Sequence, residues 1–140
     1  MNFLPLEVHN GYLGAQTLVI REPMSKFICS YCDGKDRCPI MDKDNEISSL
    51  EFNSVYRTAI FEKLTENKNI TNVLFLLGED TLVLNRKELF SLSKSIFDFD
   101  KTLTQTLFTN VELKDLFQFK LAYKYFTYID YIMQNNYRQA

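Results

Sequence analysis

The sequence predicts an α+β fold in which an N-terminal β-hairpin and a cysteine-bearing loop pack on a mainly helical body. Apolar residues alternate in the first 22 positions, all three cysteines lie in the turn-rich stretch 25–45, and apolar residues recur at helical spacing over much of the remainder. With 140 residues and 46% hydrophobic content, the chain is expected to form one domain. Residues 1–47 then hold the hairpin and the cysteine loop, or knuckle, and residues 48–140 form the helical body.

The first 22 residues predict two strands joined by a tight turn. Apolar residues alternate with polar ones up to Val8, and a largely β-branched run covers residues 17–20. Asn10 and Gly11 lie between them and supply the positive φ that such a turn requires. Pro23 is expected to end the second strand. This segment is therefore predicted to be a β-hairpin.

Helical spacing begins after residue 47. A hydroxyl group of Ser48 or Ser49 is expected to cap a helix of about four turns that ends near Asn67. The continuous apolar run 70–77 is then separated from residues 81–84 by a Gly-Glu-Asp break. This pattern predicts a possible second short hairpin, with a continued helix as the alternative.

The chain from Asn85 onward is predicted to be helical to its end. Asn85 and Glu88 have the spacing of a capping box, and Asp100 is placed to cap a short helix through Phe108. Asn110 is placed to cap a last helix of about seven turns, in which apolar residues recur every three or four positions.

The last predicted helix carries aromatic side chains on more than one face. Such a helix is either buried centrally or presents a second face to a partner. Tyrosine suits a half-exposed contact because it combines apolar area with a polar tip. The candidate partner-binding residues are Tyr123, Phe126, Tyr128 and Tyr131.

The cysteines form the most specific chemical feature of the sequence. Cys29, Cys32 and Cys38 have the spacing C-x2-C-x5-C, and the x2 interval lets two sulfurs converge on one ion. A closed zinc site needs a fourth ligand, for which His9, the single histidine, is the first candidate. The alternatives are a ligand from a partner chain or a nearby aspartate: Asp33, Asp36, Asp42 or Asp44. The first interpretation is thus a loop stabilised locally by zinc.

Other uses of the three thiols stay open. They can be free of metal, can take part in a disulfide or redox reaction, or can hold a [4Fe–4S] cluster with one iron open or ligated by oxygen. Cys38 is followed by Pro39, which resembles the end of bacterial ferredoxin-type ligand runs. That resemblance implies an iron–sulfur protein.

The charge balance disfavours a phosphate-binding surface. Sixteen basic and eighteen acidic residues give a net charge of −2, whereas a duplex-binding module usually carries a basic excess. A zinc-dependent nucleic-acid-binding regulator is therefore the alternative function. Its candidate basic residues are Lys26, Lys35, Arg37, Arg86 and Lys87.

Composition and motifs favour an interaction protein over an enzyme. Four glycines in the whole chain leave no P-loop and no complete dinucleotide fingerprint, and one histidine makes a catalytic triad improbable. Neither an export signal nor an apolar run long enough to span a membrane is found. Abundant Phe and Tyr without Trp are typical of an A/T-rich coding sequence, such as that of a phage or virus. The sequence predicts a small cytoplasmic adaptor that binds another protein, with homo-oligomers as a further option.

Overall fold

The computed structural model describes residues 1–12, 15–23, 50–78, 80–109, 111 and 120–131. In these ranges the strands are β1 (Asn2–Phe3), β2 (Glu7–Tyr12), β3 (Ala15–Arg21), β4 (Leu50–Glu51), β5 (Ile70–Leu77), β6 (Thr104–Thr109) and β7 (Tyr128–Tyr131). The helices are α1 (Ser54–Glu66) and α2 (Arg86–Phe99), with a π-helical turn at Asp80–Leu84 and a 3-10 helix at Lys120–Tyr123.

A five-stranded sheet in the order β2-β3-β5-β6-β7 forms the centre of the molecule. Strands β2 and β3 are antiparallel neighbours, as in the predicted N-terminal hairpin. The predicted turn position is wrong, because Asn10 and Gly11 lie within β2, where the register with β3 shifts. The pairs β3-β5, β5-β6 and β6-β7 are all parallel. Helices α1 and α2 connect successive parallel strands, as parallel pairing requires a long crossover. The chain combines a sheet with helices, which is consistent with the predicted α+β class. The body is not mainly helical, however, because β4, β5, β6 and β7 lie in it beside the two helices.

One face of this sheet, here called the helix face, carries the main hydrophobic core. Alternate residues of each strand point toward it and pack against apolar residues of both helices. The sheet contributes Leu18, Ile20, Val73, Phe75, Leu77 and Leu107, and the helices contribute Ile60, Leu64, Leu89, Leu92 and Ile96. The core thus lies between the sheet and helices α1 and α2.

Helix α1 is capped by a residue that the sequence pattern did not indicate. The side chain of Asn53 accepts hydrogen bonds from the backbone N–H groups of Val55 at 3.0 Å and Tyr56 at 3.1 Å. The predicted caps, Ser48 and Ser49, lie outside the described residues. The helix ends at Glu66, one residue before the predicted stop.

The predicted second hairpin is wrong. Strand β5 is followed by the π-helical turn, and β5 pairs on its two sides with β3 and β6. Both neighbours of β5 are therefore strands from distant parts of the chain. An apolar run buried on both faces is typical of a central parallel strand as well as of a hairpin, and only pairing distinguishes them.

The predicted last helix is also wrong where the structure describes it. Residues 120–123 form a single 3-10 turn, and residues 128–131 form strand β7, paired with β6. The short helix expected after Asp100 is strand β6 instead. Asp100 does bind the next turn, since its carboxylate accepts hydrogen bonds from the backbone N–H and the hydroxyl of Thr102 at 2.9 and 2.6 Å. These two bonds hold the pKa of Asp100 below its usual value.

Candidate functional site

The four parallel strands end at one edge of the sheet, here called the carboxyl edge. In open α/β sheets, ligands bind at the carboxyl ends of the strands. Strand β3 ends at Arg21, and Glu22 and Pro23 follow it directly. The next segment of the chain, which begins at residue 24, contains all three cysteines. The cysteine segment is therefore attached to the carboxyl edge, although Cys29, Cys32 and Cys38 themselves lie outside the described residues.

Buried hydrogen bonds tie the loops of the carboxyl edge together. The backbone N–H of Glu22 donates to the carbonyl of Leu76 on β5 at 3.0 Å. The carboxylate of Glu22 accepts a hydrogen bond from the backbone N–H of Thr81 at 3.0 Å, and both residues are buried. Glu22 therefore connects the end of β3 to the π-helical turn that follows β5.

A tyrosine extends the same network to the loop before β7. The hydroxyl of Tyr123 donates to the carbonyl of Leu82 in the π-helical turn, while the N–H of Leu82 donates to the carbonyl of Gly78 at 2.9 Å. Burial raises the pKa of Tyr123 to about 12, and the nearby charge of Arg86 partly opposes this shift. The π-helical turn is thus bound from both sides, by Glu22 and by Tyr123.

The opposite side of the sheet, here called the second face, is more polar than the helix face. Its residues alternate with the core residues and follow from the strand register. They are Glu7, His9, Thr17, Val19, Arg21, Asn72, Leu74, Leu76, Thr104, Thr106, Phe108 and Tyr128. Several of them, including Thr17, Asn72 and Thr106, are buried. Buried polar groups in the middle of a sheet are costly unless they are paired, so their partners are informative.

Arg21 is the buried charge of the second face. Its side chain is 9% exposed and forms an ion pair with Oε2 of Glu7, whose side chain is 41% exposed. The other carboxylate oxygen of Glu7 lies 2.6 Å from Nε2 of His9. The Nε atom of Arg21 is buried and has no hydrogen-bond partner in the described part of the chain. The guanidinium is therefore only partly satisfied by the protein.

The side chain of Asn72, on the neighbouring strand β5, is also buried and only partly hydrogen-bonded. Its Oδ1 accepts a hydrogen bond from the hydroxyl of Thr106 at 3.0 Å. Its Nδ2 is buried and, within the described ranges, finds no acceptor. Arg21 and Asn72 thus both present unused N–H donors on the second face. Asn72 pairs with Thr17, four residues from Arg21, which places the two backbone positions roughly 13 Å apart along the sheet.

The predicted metal ligands are only partly within the described residues. His9 pairs with Thr17 on β3, so it lies about four residues, or roughly 13 Å, from the end of β3 where the cysteine segment begins. The imidazole of His9 contacts the carboxylate of Glu7. No group of three or more His, Cys, Asp or Glu residues is placed to hold a metal ion in the ranges that the structure describes. The cysteine site stays a prediction.

The predicted partner-binding aromatics occupy different environments. Tyr123 and Phe126 belong to the hydrophobic core, and the ring of Phe126 lies 5.0 Å from that of Phe75 with its plane nearly perpendicular. Tyr128, by contrast, is 55% exposed on the second face. The side chain of Tyr131 lies outside the description. Among these residues, Tyr128 has the exposure that a docking surface requires.

Sequence inspection missed the residues that the structure brings to the carboxyl edge and the second face. Arg21 and Glu22 were visible as two adjacent charges between an apolar strand and a proline, and Asn72 was visible as a polar residue inside an apolar run. Their meaning depends on parallel pairing between β3 and β5, which was not predicted.

Comparisons with known proteins give no relative. No family model, no curated protein and no solved structure matches this chain. Of the helices that the structure describes, none is long and apolar enough to cross a membrane.

Proposed function

We propose that the protein is a cofactor-binding α/β domain that holds an iron–sulfur cluster through Cys29, Cys32 and Cys38 and binds a small polar ligand beside it. The observation that carries this proposal is the attachment of the cysteine segment to the carboxyl end of β3, an interior strand of the mixed sheet that pairs in parallel with β5. That edge is where α/β sheets hold ligands. A protein-binding loop has no comparable reason to begin there.

Three thiolates suit an open metal centre better than a closed one. Structural zinc sites use four protein ligands, and the first candidate for the fourth, His9, is paired with Glu7 near the other end of β3. A [4Fe–4S] cluster with three cysteine ligands keeps one iron available to an oxygen or nitrogen atom of a ligand. The Cys38-Pro39 step is consistent with this assignment.

The second face supports the binding of a ligand with acceptor oxygens. Arg21 and Asn72 both have buried N–H groups without a partner in the described residues. Buried donors are nearly always paired in native proteins, by protein, water or ligand. A carboxylate or phosphate oxygen would satisfy the guanidinium of Arg21 with charge-assisted hydrogen bonds. Arg21 is also the last residue of β3, so such a ligand would lie close to the origin of the cysteine segment.

The cluster is tested by anaerobic purification followed by iron and sulfide analysis. We expect about four irons and four sulfides per chain, a brown colour and broad absorbance near 400 nm, as for other such clusters. A Cys29→Ser, Cys32→Ser, Cys38→Ser variant should lose all three signals while keeping its circular dichroism. The matched control is His9→Ala, which should retain the cluster. A wild-type protein without iron, or a triple variant that retains it, would contradict the proposal.

The ligand is tested separately by thermal shift with carboxylates and phosphate monoesters. A ligand present at about 100 times its Kd should stabilise the folded state by roughly 2.7 kcal/mol. This stabilisation should disappear in Arg21→Leu and persist in the control variant Arg57→Leu, which changes a half-buried arginine of α1 that binds Ser95 on α2. Equal stabilisation of both variants would show that the ligand binds elsewhere.

A second candidate function is a zinc-bound assembly adaptor that uses the same thiolates. This candidate is favoured by the exposed ring of Tyr128, which lies on β7, the last strand in the sheet order. Such a protein would contain one zinc and no iron, and would form a complex that Tyr128→Ser weakens. Elemental analysis therefore separates the two candidates. Both place the cysteines in a reducing compartment such as the cytoplasm, where thiols stay free for metal.

A further inference from the structure

Glu22 is a buried residue of the carboxyl edge, and the proposed cluster and ligand sites assign no role to it. We infer that Glu22 is a positioning residue that locks the origin of the cysteine segment to the π-helical turn Asp80–Leu84. The inference extends the proposed function, because it states how the metal centre is held relative to the rest of the edge.

The geometry of Glu22 carries this inference. Its backbone N–H donates to the carbonyl of Leu76 in β5 at 3.0 Å. Its carboxylate accepts from the N–H of Thr81 in the π-helical turn, also at 3.0 Å. One residue therefore holds both the end of β5 and the turn beyond it. Because Pro23 follows directly and fixes its own φ, the chain leaves this anchor with restricted freedom.

The turn held by Glu22 is not a regular helix. The π-helical geometry of Asp80–Leu84 is rare, and such turns frequently occur at functional sites. Thr81 and Leu82 are fully buried in it, and the carbonyl of Leu82 is held from the other side by Tyr123. A turn with uncommon backbone geometry needs such external hydrogen bonds, and the one to Glu22 joins it to the cysteine segment.

The choice of a carboxylate at position 22 is informative. An apolar residue would fill this buried position without the cost of desolvating a charge. Glutamate instead provides an acceptor for a backbone N–H that would otherwise be buried without a partner. The glutamine side chain has an acceptor oxygen in the same place, so it should preserve the bond. Alanine removes it.

The test combines amide hydrogen exchange with metal release in the full-length protein. Glu22→Ala is compared with Glu22→Gln and with Ser93→Ala, which removes a buried hydrogen bond to Gln105 at 2.8 Å on a different part of the sheet. We expect Glu22→Ala to speed exchange of the Thr81 and Leu82 amides by about 10- to 100-fold, because it leaves the buried N–H of Thr81 without its acceptor. Iron release to a chelator should also become about 10-fold faster. Glu22→Gln should stay within about threefold of wild type in both measurements.

Local and global effects are separated by the control. Ser93→Ala should lower the overall stability without accelerating Thr81 exchange relative to other core amides. Unchanged Thr81 exchange in Glu22→Ala, or acceleration spread evenly over the core as in Ser93→Ala, would overturn the inference. If wild-type protein purifies without metal, the proposed cluster is refuted, and the Thr81 exchange rates alone then decide whether Glu22 locks the turn.

Discussion

Replacing Arg21 by leucine is expected not to destabilise the protein, although Arg21 is a buried residue of an interior strand. Burial of a guanidinium costs several kcal/mol in desolvation, and its unpaired Nε adds about 1–3 kcal/mol. The compensating ion pair is with Glu7, whose side chain is 41% exposed, so solvent screens the pair and reduces its value to about 1–2 kcal/mol. Leucine would pack beside Leu76, its neighbour in the register.

The desolvation cost and the unpaired Nε outweigh the screened ion pair, so Arg21→Leu is expected to leave the free energy of unfolding unchanged or to raise it by up to about 4 kcal/mol. Glu7→Ala is expected to lower the free energy of unfolding by about 2 kcal/mol. Removing one partner of a fully buried ion pair lowers the free energy of unfolding by about 3–5 kcal/mol, and the partial exposure of Glu7 makes the expected loss smaller. The alanine variant leaves the guanidinium buried without its counter-charge, whereas the leucine variant leaves a carboxylate that reaches solvent and His9.

The assay is urea unfolding followed by circular dichroism, on metal-free protein and without added anions. The two single variants and the double variant form a thermodynamic cycle. Two results would refute the reasoning. One is that Arg21→Leu lowers the free energy of unfolding by 3 kcal/mol or more, and the other is that it lowers the free energy of unfolding by more than Glu7→Ala does. Either result would show that Arg21 is retained for stability and would remove its main reason for being assigned to a ligand.

Further predictions concern the cap, the core and the buried tyrosines. Asn53→Ala removes the acceptor for two N–H groups of α1 and should cost about 1 kcal/mol in urea unfolding, whereas Asn53→Ser should cost less. Ser93→Ala should cost about 1–3 kcal/mol, because it leaves the buried Oε1 of Gln105 without its donor, and an unchanged midpoint would contradict this. Because the folded-state pKa of Tyr123 is raised from 10.0 to about 12, the unfolded chain loses this proton first, and stability should fall as pH rises from 10 to 12. Tyr123→Phe should make this fall shallower, while Tyr128→Phe, which changes an exposed ring, should not; equal slopes in unfolding titrations would contradict the assignment.

The success of the hairpin prediction has a local cause. Strands β2 and β3 are close in the sequence, so their pairing needs only a short connection and depends little on the rest of the chain. Asn10 and Gly11 do not form that connection, because both lie within β2, where the register with β3 shifts. Helix α2 was predicted from residues within one turn of each other, and it begins after Asn85 as expected. The predicted capping box is not formed, because the side chain of Asn85 makes no capping hydrogen bond to the helix. Its end after Phe99 likewise agrees with the acidic break in the pattern.

The failures concern segments whose apolar pattern fits more than one structure. Residues 103–108 and 128–131 have apolar and aromatic residues that suit a helix by spacing and a strand by type. Pairing of β6 with β5, and of β7 with β6, decided in favour of strands. Such pairing joins residues more than twenty positions apart, so no window of local sequence contains it.

The sequence by itself determined that a hairpin lies near the start of the chain, where its second strand ends, and that three cysteines with the spacing of metal ligands follow it. These properties depend on the alternation of apolar residues, a proline and the spacing of cysteines, all of which act within a few positions. Only the tertiary structure decided that β3 pairs in parallel with β5, that the cysteine segment therefore starts at a carboxyl edge, and that Arg21 and Glu22 are buried beside it. It also decided that Asn72 is buried on the second face. The physical reason is that burial and hydrogen-bond pairing of these side chains are set by neighbouring strands contributed by distant parts of the chain.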